Sequence, residues 1–242
     1  MSPSSPQKSC YSSRILHENP RLRVIEVQLS PSRTTPFSHA NPTVRWRVAA
    51  DGDVAAPRPV FYNAGEDAAT PNQRYPNEHN SNNNQEPSRE IVFEILQSRP
   101  QHTEEEVKRM LARAVYSTHI GGKMVLENEF CRLWDFQIPP GGGHRSNDLH
   151  QHVLPYAFVF LQHGRLRVYK PRLLREEKPG EEDDTELVCL MERQSGEVIW
   201  SSISNGGFEE DSEIKLSIPK AVHSVENDCT DSKFREYMIE LK

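Results

Sequence analysis

Glu18-Asn19-Pro20-Arg21-Leu22-Arg23-Val24-Ile25-Glu26-Val27-Gln28-Leu29-Ser30-Pro31 aligns without gaps to Glu127-Asn128-Glu129-Phe130-Cys131-Arg132-Leu133-Trp134-Asp135-Phe136-Gln137-Ile138-Pro139-Pro140. Five of the fourteen positions are identical: Glu18, Asn19, Arg23, Gln28 and Pro31. Ordinary composition would give about one match. Ile25, Val27 and Leu29 alternate with polar residues, as do Trp134, Phe136 and Ile138 in the second copy. That period of two predicts a half-buried strand with one apolar face and one wet face.

Working outward, a second match closes each copy. Arg89-Glu90-Ile91-Val92-Phe93-Glu94-Ile95 parallels Arg235-Glu236-Tyr237-Met238-Ile239-Glu240-Leu241. The offset is 109 at Glu18/Glu127 and 146 at Arg89/Arg235, so the second copy is longer by 37 residues. We assign that excess to the Glu-rich run Glu176–Glu186 and to Ser201–Glu213. A repeat of this kind means one fold used twice. The expected order is a flexible tail over 1–12, a first barrel over 13–100, a helical connector over 101–121 and a second barrel over 122–242.

The connector carries the one convincing helix signal. Thr103 with Glu106 three residues on is a capping box, and Val107, Met110, Leu111 and Ala114 follow at helical spacing. Elsewhere short apolar or alternating runs predict strands at Tyr156–Leu161, Arg165–Lys170, Glu186–Met191, Val198–Trp200, Ile214–Ile218 and Phe234–Leu241. Many short strands with little helix predict an all-β chain of barrel or sandwich type.

Composition narrows the function classes. The 242 residues carry a formal charge of -6, which disfavours a phosphate backbone, and there is no Lys/Arg stripe; nucleic acid is not an expected partner. No apolar run reaches the ~20 residues of a membrane span, so no membrane partner is expected either. The start, Met1-Ser2-Pro3-Ser4-Ser5-Pro6, lacks a secretory apolar stretch. The four cysteines form no Cys-x-x-Cys pair and read as isolated reduced thiols of a cytoplasmic protein. The Ser/Pro-rich start, Gly65–Ser88 and Glu176–Glu186 are too polar to pack and read as mobile segments. They account for much of the mean hydropathy of -0.73.

The chemistry is concentrated in Pro140-Gly141-Gly142-Gly143-His144-Arg145-Ser146-Asn147-Asp148-Leu149-His150-Gln151-His152. On a strand, His150 and His152 present both imidazoles to one side, as two ligands of one metal must. His223, in Pro219-Lys220-Ala221-Val222-His223-Ser224-Val225-Glu226-Asn227, arrives from another part of the sheet. Three such nitrogens can hold a divalent ion with open positions left for a ligand. The competing structural role is that of three hydrogen-bonded polar residues in a barrel mouth. His144 is a loop residue that could turn inward.

These residues resemble the cupin superfamily. His150-x-His152 stands twelve residues before Gly164, and His223 stands four before Asn227; both are that family's motif spacings. Pro140-Gly141, Phe158-Val159-Phe160-Leu161 and Phe234-Arg235-Glu236 are similar as well. With the repeat, the resemblance implies two tandem cupin-type, jelly-roll-like β-barrels joined by a short helix. It also implies a centre of His150, His152 and His223 holding Fe(II), or Zn, Ni or Mn. The chain departs from the family where the motif glutamate would fall: Ala157 stands there, with Tyr156 beside it as a candidate catalytic proton or hydrogen-bond donor.

The first copy is degenerate. His39-Ala40-Asn41 falls opposite His150-Gln151-His152 after a two-residue shift, and Gln73 and Asn77 fall opposite His223 and Asn227. Amides are poor ligands for late first-row metals. The expectation is a metal-dependent enzyme acting on a small organic molecule, of dioxygenase, lyase or isomerase type. The alternative is a non-catalytic ligand-binding or regulatory cupin. Edge-to-edge sheet pairing would allow a homodimer.

Overall fold

The computed structural model describes residues 11–29, 40–48, 59–65, 88–143, 149–171, 185–204, 207–208 and 221–242. The chain divides into two compact units, Met1–Ser98 and Arg99–Lys242. Each is described by itself.

In the first unit, β1 (Tyr11–Glu18), β2 (Leu22–Leu29), β3 (Thr43–Val48), β4 (Val60–Tyr62) and β5 (Ser88–Ile95) form one antiparallel sheet. Its strand order is β1-β2-β5-β3-β4. No second sheet occurs among the described residues of this unit.

The second unit opens with α1 (Glu104–Arg113), whose Thr103–Glu106 capping box forms as expected. Val107, Met110, Leu111 and Ala114 pack against Val153 and Leu154, directly after His152. The strands that follow are β6 (Lys123–Glu127), β7 (Cys131–Ile138), β8 (His150–Gln151), β9 (Tyr156–Phe160), β10 (Gly164–Pro171), β11 (Thr185–Arg193) and β12 (Val198–Ser201). The short pair β13 (Ile203–Ser204) and β14 (Gly207–Phe208) leads to β15 (Val222–Asn227) and β16 (Phe234–Leu241). Two sheets result, β12-β9-β16-β7-β6 and β11-β10-β15-β8. Trp134, Phe136, Phe158, Phe160 and Met238 of the first sheet meet Leu166, Val168 and Val225 of the second in one buried cluster. The all-β expectation holds, and this unit is a two-layer, jelly-roll-like barrel.

The repeat extends to backbone register. Leu22↔Ile95 in the first sheet becomes Cys131↔Leu241 in the second, and Leu29↔Ser88 becomes Ile138↔Phe234. The register shift at Ile15/His17 recurs at Met124/Leu126. Asn19 and Asn128 explain one of the repeated identities. Each side-chain oxygen accepts two backbone N–H groups, from Arg21 and Leu22 or from Phe130 and Cys131, and so forms the same turn before its strand. The strand order β1-β2-β5-β3-β4 therefore corresponds to β6-β7-β16-β9-β12.

One expectation needs correction. β7 and β16 are not wet on one face: Leu133 and Asp135 are buried beside Trp134 and Phe136, and every residue of β16 is buried. Apolar residues occur at both parities of β7 and β16. The one acid among those of β7, Asp135, is held by Arg235 at 3.1 Å, as Glu26 is held by Arg89 in the first copy. Strand pairing places the 37 extra residues. The offset grows from 109 at Leu22/Cys131 to 113 at Thr43/Tyr156, 139 at Tyr62/Ser201 and 146 at Ser88/Phe234. Most of the excess, 139 less 113, enters between β9 and β12, where the paired strands β10 and β11 lie. That interval holds the Glu176–Glu186 run to which the excess is assigned, together with the strands expected at Arg165–Lys170 and Glu186–Met191; Thr185 and Glu186 belong to β11. Ser88 likewise opens β5. The tail before Tyr11, most of Gly65–Ser88, residues 172–184 and the strand expected at Ile214–Ile218 lie outside the described residues.

Candidate metal centre

Three features of the backbone bring the histidines together. His150 on β8 pairs directly with His223 on β15. Gln151 is clipped from the other side: its N–H donates to Ser117 O at 2.8 Å, and its Oε1 accepts from Val115 N at 2.9 Å. His152 N–H then donates to Ala221 O at 3.2 Å. Ala221 has φ 51°, the left-handed region that residues with a Cβ rarely adopt, and it is fully buried where the chain enters β15. The turn before β8 is held by close contact. A Cβ on Gly143 would lie 2.5 Å from Glu226 Cα, so only glycine lets this segment lie against β15.

The result is a compact, buried cluster. One ligand-type nitrogen from each of His150, His152 and His223 lies within 4.8 Å of the others. Ring centroids are 4.5 Å apart for His150–His223 and 5.0 Å for each of the other two pairs. Burial, reinforced by the neighbouring His150 and His152, holds the pKa of His223 well below the ordinary imidazole value. His223 is therefore neutral at neutral pH, the form that binds a metal. Nδ1 of His152 and Nδ1 of His223 are buried without a hydrogen-bond partner among the described residues. Glu240 Oε1 stands 3.8 Å from His152 Nδ1, while Oε2 accepts from the Trp134 indole at 2.8 Å and meets Arg132 at 3.1 Å. That carboxylate lies beside His152 at ion-pair rather than hydrogen-bond distance. The set of three buried imidazoles fits a divalent late first-row ion.

The remaining sequence candidates divide by location. Tyr156 stacks on His152, with centroids 4.1 Å apart and the planes at 24°. Burial raises its pKa. Ser201 opposite partly offsets this, although neither hydroxyl makes a hydrogen bond of regular geometry. Asn227, a motif residue, faces away from chemistry. Its amide donates to Ile138, Pro139 and Ser232 carbonyls and its oxygen accepts from Cys229 N, which pins the Pro139–Gly141 turn. Gly164 is likewise a packing residue, since a Cβ there would sit 2.7 Å from the Phe234 ring. His39, Gln73, Asn77 and His144 lie outside the described residues. Asn41 is described, and its amide donates to Glu94 at 2.8 Å.

A cavity of about 40 Å³, measured to the centre of a water-sized sphere, adjoins the histidines. Phe136, Phe158, Met191 and Met238 give it apolar walls, and Tyr156 and Glu236 also line it. Glu236 was not singled out from the sequence. It is buried, its Oε2 has no partner among the described residues, and burial pushes its carboxyl up to about 8. The signal was present in the repeat: Glu236 matches Glu90, but the Arg45 that accompanies Glu90 is matched by Phe158.

The fold and the cluster together define an all-β protein with a three-histidine candidate metal centre in its second unit. No protein-family model and no curated protein sequence matches the chain. Among solved structures, a cupin 2 conserved barrel domain protein from Leptotrichia buccalis is similar at 9% identity, covering 98% of this chain and 92% of that one, with a TM-score of 0.39. Among the described residues no helix is long and apolar enough to cross a membrane.

Proposed function

We propose that the second unit is a cupin-type metal-dependent enzyme acting on a small organic molecule, and that the first unit is its degenerate copy. The observation that carries this reading is the convergence of three buried imidazoles on a cavity within one closed pair of sheets. His150, His152 and His223 would hold the ion, with iron(II) ahead of zinc, nickel or manganese. When bound, such an ion supplies Lewis acidity or, as iron(II), redox chemistry of the dioxygenase kind.

The chain's own residues have distinct tasks. His223, held neutral by burial, offers an unprotonated imidazole nitrogen to the ion. Glu240, 3.8 Å from His152 Nδ1, gives that ring a carboxylate neighbour. The Tyr156 ring fixes the His152 plane, and its hydroxyl, kept protonated by burial, is a hydrogen-bond donor for a ligand in the cavity. Phe136, Phe158 and Met238 exclude water and restrict the occupant to a molecule of few heavy atoms.

Metal analysis of the purified chain beside His150→Ala and His223→Ala tests the reading. We expect about one divalent ion per parent chain and a trace in both variants. Parent and variants equal at a trace level would end the enzymatic reading and leave a ligand-binding or regulatory barrel.

A further inference from the structure

Glu236 occupies the position that Glu90 occupies in the first sheet. Both lie on the closing strand, Glu90 opposite Arg47 and Glu236 opposite Phe160. In the first unit that carboxylate is neutralised: Arg45 Nε donates to it at 2.9 Å, and Arg47 stands 3.9 Å away. The residues that match Arg45 and Arg47 are Phe158 and Phe160. The second unit has thus kept the buried acid and lost both of its cations. An unpaired buried carboxylate is costly, so such a group is retained without penalty only where something supplies its countercharge or its proton. The residue is 7% exposed and lines the cavity beside the histidines.

We propose that Glu236 anchors the ammonium head of a small organic amine in this cavity, a role that rests on the enzymatic reading of the site. The ligand's cation stands where the first unit places a guanidinium. Its hydrocarbon part lies against Phe136, Phe158 and Met238, and its other end reaches the histidine side of the cavity. The roughly 40 Å³ available suits a chain of a few carbons rather than a peptide or a nucleotide. The carboxyl's rise to about 8 through burial agrees with the absence of a cation facing it among the described residues.

Calorimetric titration of the full chain, metal-free and zinc-loaded, with n-propylamine hydrochloride, 1-propanol and sodium propionate tests this. The amine should bind at least about tenfold more tightly than either control. Glu236→Gln should lose about tenfold or more for the amine while keeping its zinc stoichiometry, which also reports that the variant is folded. Phe158→Arg, which restores the first unit's arrangement, should abolish amine binding independently. Equal binding of amine and alcohol by the parent would overturn the proposal, as would an unaltered amine affinity in Glu236→Gln. Loss of zinc together with amine in Glu236→Gln would make Glu236 a metal ligand and overturn the anchoring role. A parent that takes up amine through Glu236 but no zinc would leave the anchor standing and remove the metal-dependent reading instead.

Discussion

Arg45 and Phe158 occupy the same place in two sheets that share strand order, register, the shifted position in the first strand pair and the asparagine turn. What differs is how each inner face is filled. In the first sheet Arg23, Arg45 and Arg47 neutralise Glu94 and Glu90, and the apolar remainder is a small cluster of Ile25, Val27 and Val92. In the second, Arg132 still meets Glu240, but Phe158 and Phe160 replace the other two arginines and join a continuous apolar core. Ion pairs fill this face of the first sheet, and aromatic side chains line a cavity on the matching face of the second. A repeat can therefore preserve backbone and change chemistry through a few inward positions. Strand pairing depends on main-chain groups and alternation, whereas a cavity depends on individual side chains.

The sharpest way to break this comparison is to remove Arg45. Its side chain and that of Glu90 are 8% and 3% exposed, so Arg45→Ala leaves a buried carboxylate whose remaining cation among the described residues is the more distant Arg47. A loss of about 3–5 kcal/mol in chemical denaturation is expected. A loss below 1 kcal/mol would mean that the charges do not hold the first interior together.

Glu236→Gln is expected to act in the opposite direction in the metal-free, ligand-free chain. The carboxyl's pKa is raised from an ordinary 4.5 to about 8 in the folded state, so the native protein holds a proton that the unfolded chain has released. Stability attached to that proton is complete below pH 4.5 and is lost as pH rises toward 8. Glutamine carries no such liability. Parent and variant should therefore match near pH 4 and diverge upward, with the variant more stable by roughly 2–4 kcal/mol at pH 8–9. The matching change in the first sheet, Glu90→Gln, should destabilise instead, because it breaks a formed pair. Equal signs at the two positions would show that the acids are not in different electrostatic settings.

Much of this contrast was written in the chain. The Glu18–Pro31 and Glu127–Pro140 match located β2 and β7 because periodicity and turn chemistry are local properties. His150 and His152 could be grouped from strand parity, and His223 joined them through the resemblance in motif spacing. Less legible was the partner of each acid. Arg45 and Glu90 are 45 positions apart, and their pairing follows only once β3 is placed beside β5. The strands β10 and β11 are legible at Arg165–Lys170 and Glu186–Met191, but their place as part of the second copy's excess follows only from their pairing with each other and of β10 with β15. The burial of both faces of β7 was missed because Asp135 reads as a wet position until Arg235 is set against it.

The smallest expected effect comes from Tyr156→Phe. Its counterpart Thr43 has a structural task, donating from Oγ1 to Asn41 O at 2.9 Å. The Tyr156 hydroxyl has no such partner of regular geometry, and what the residue contributes to packing lies in the ring stacked on His152. Phenylalanine keeps that ring and removes a buried hydroxyl that is not compensated, so stability should change by less than about 1 kcal/mol and zinc stoichiometry should hold. A loss above about 2 kcal/mol would give Tyr156 a structural hydroxyl like that of Thr43. The two sheets would then resemble each other at the very position where the second is proposed to face a ligand.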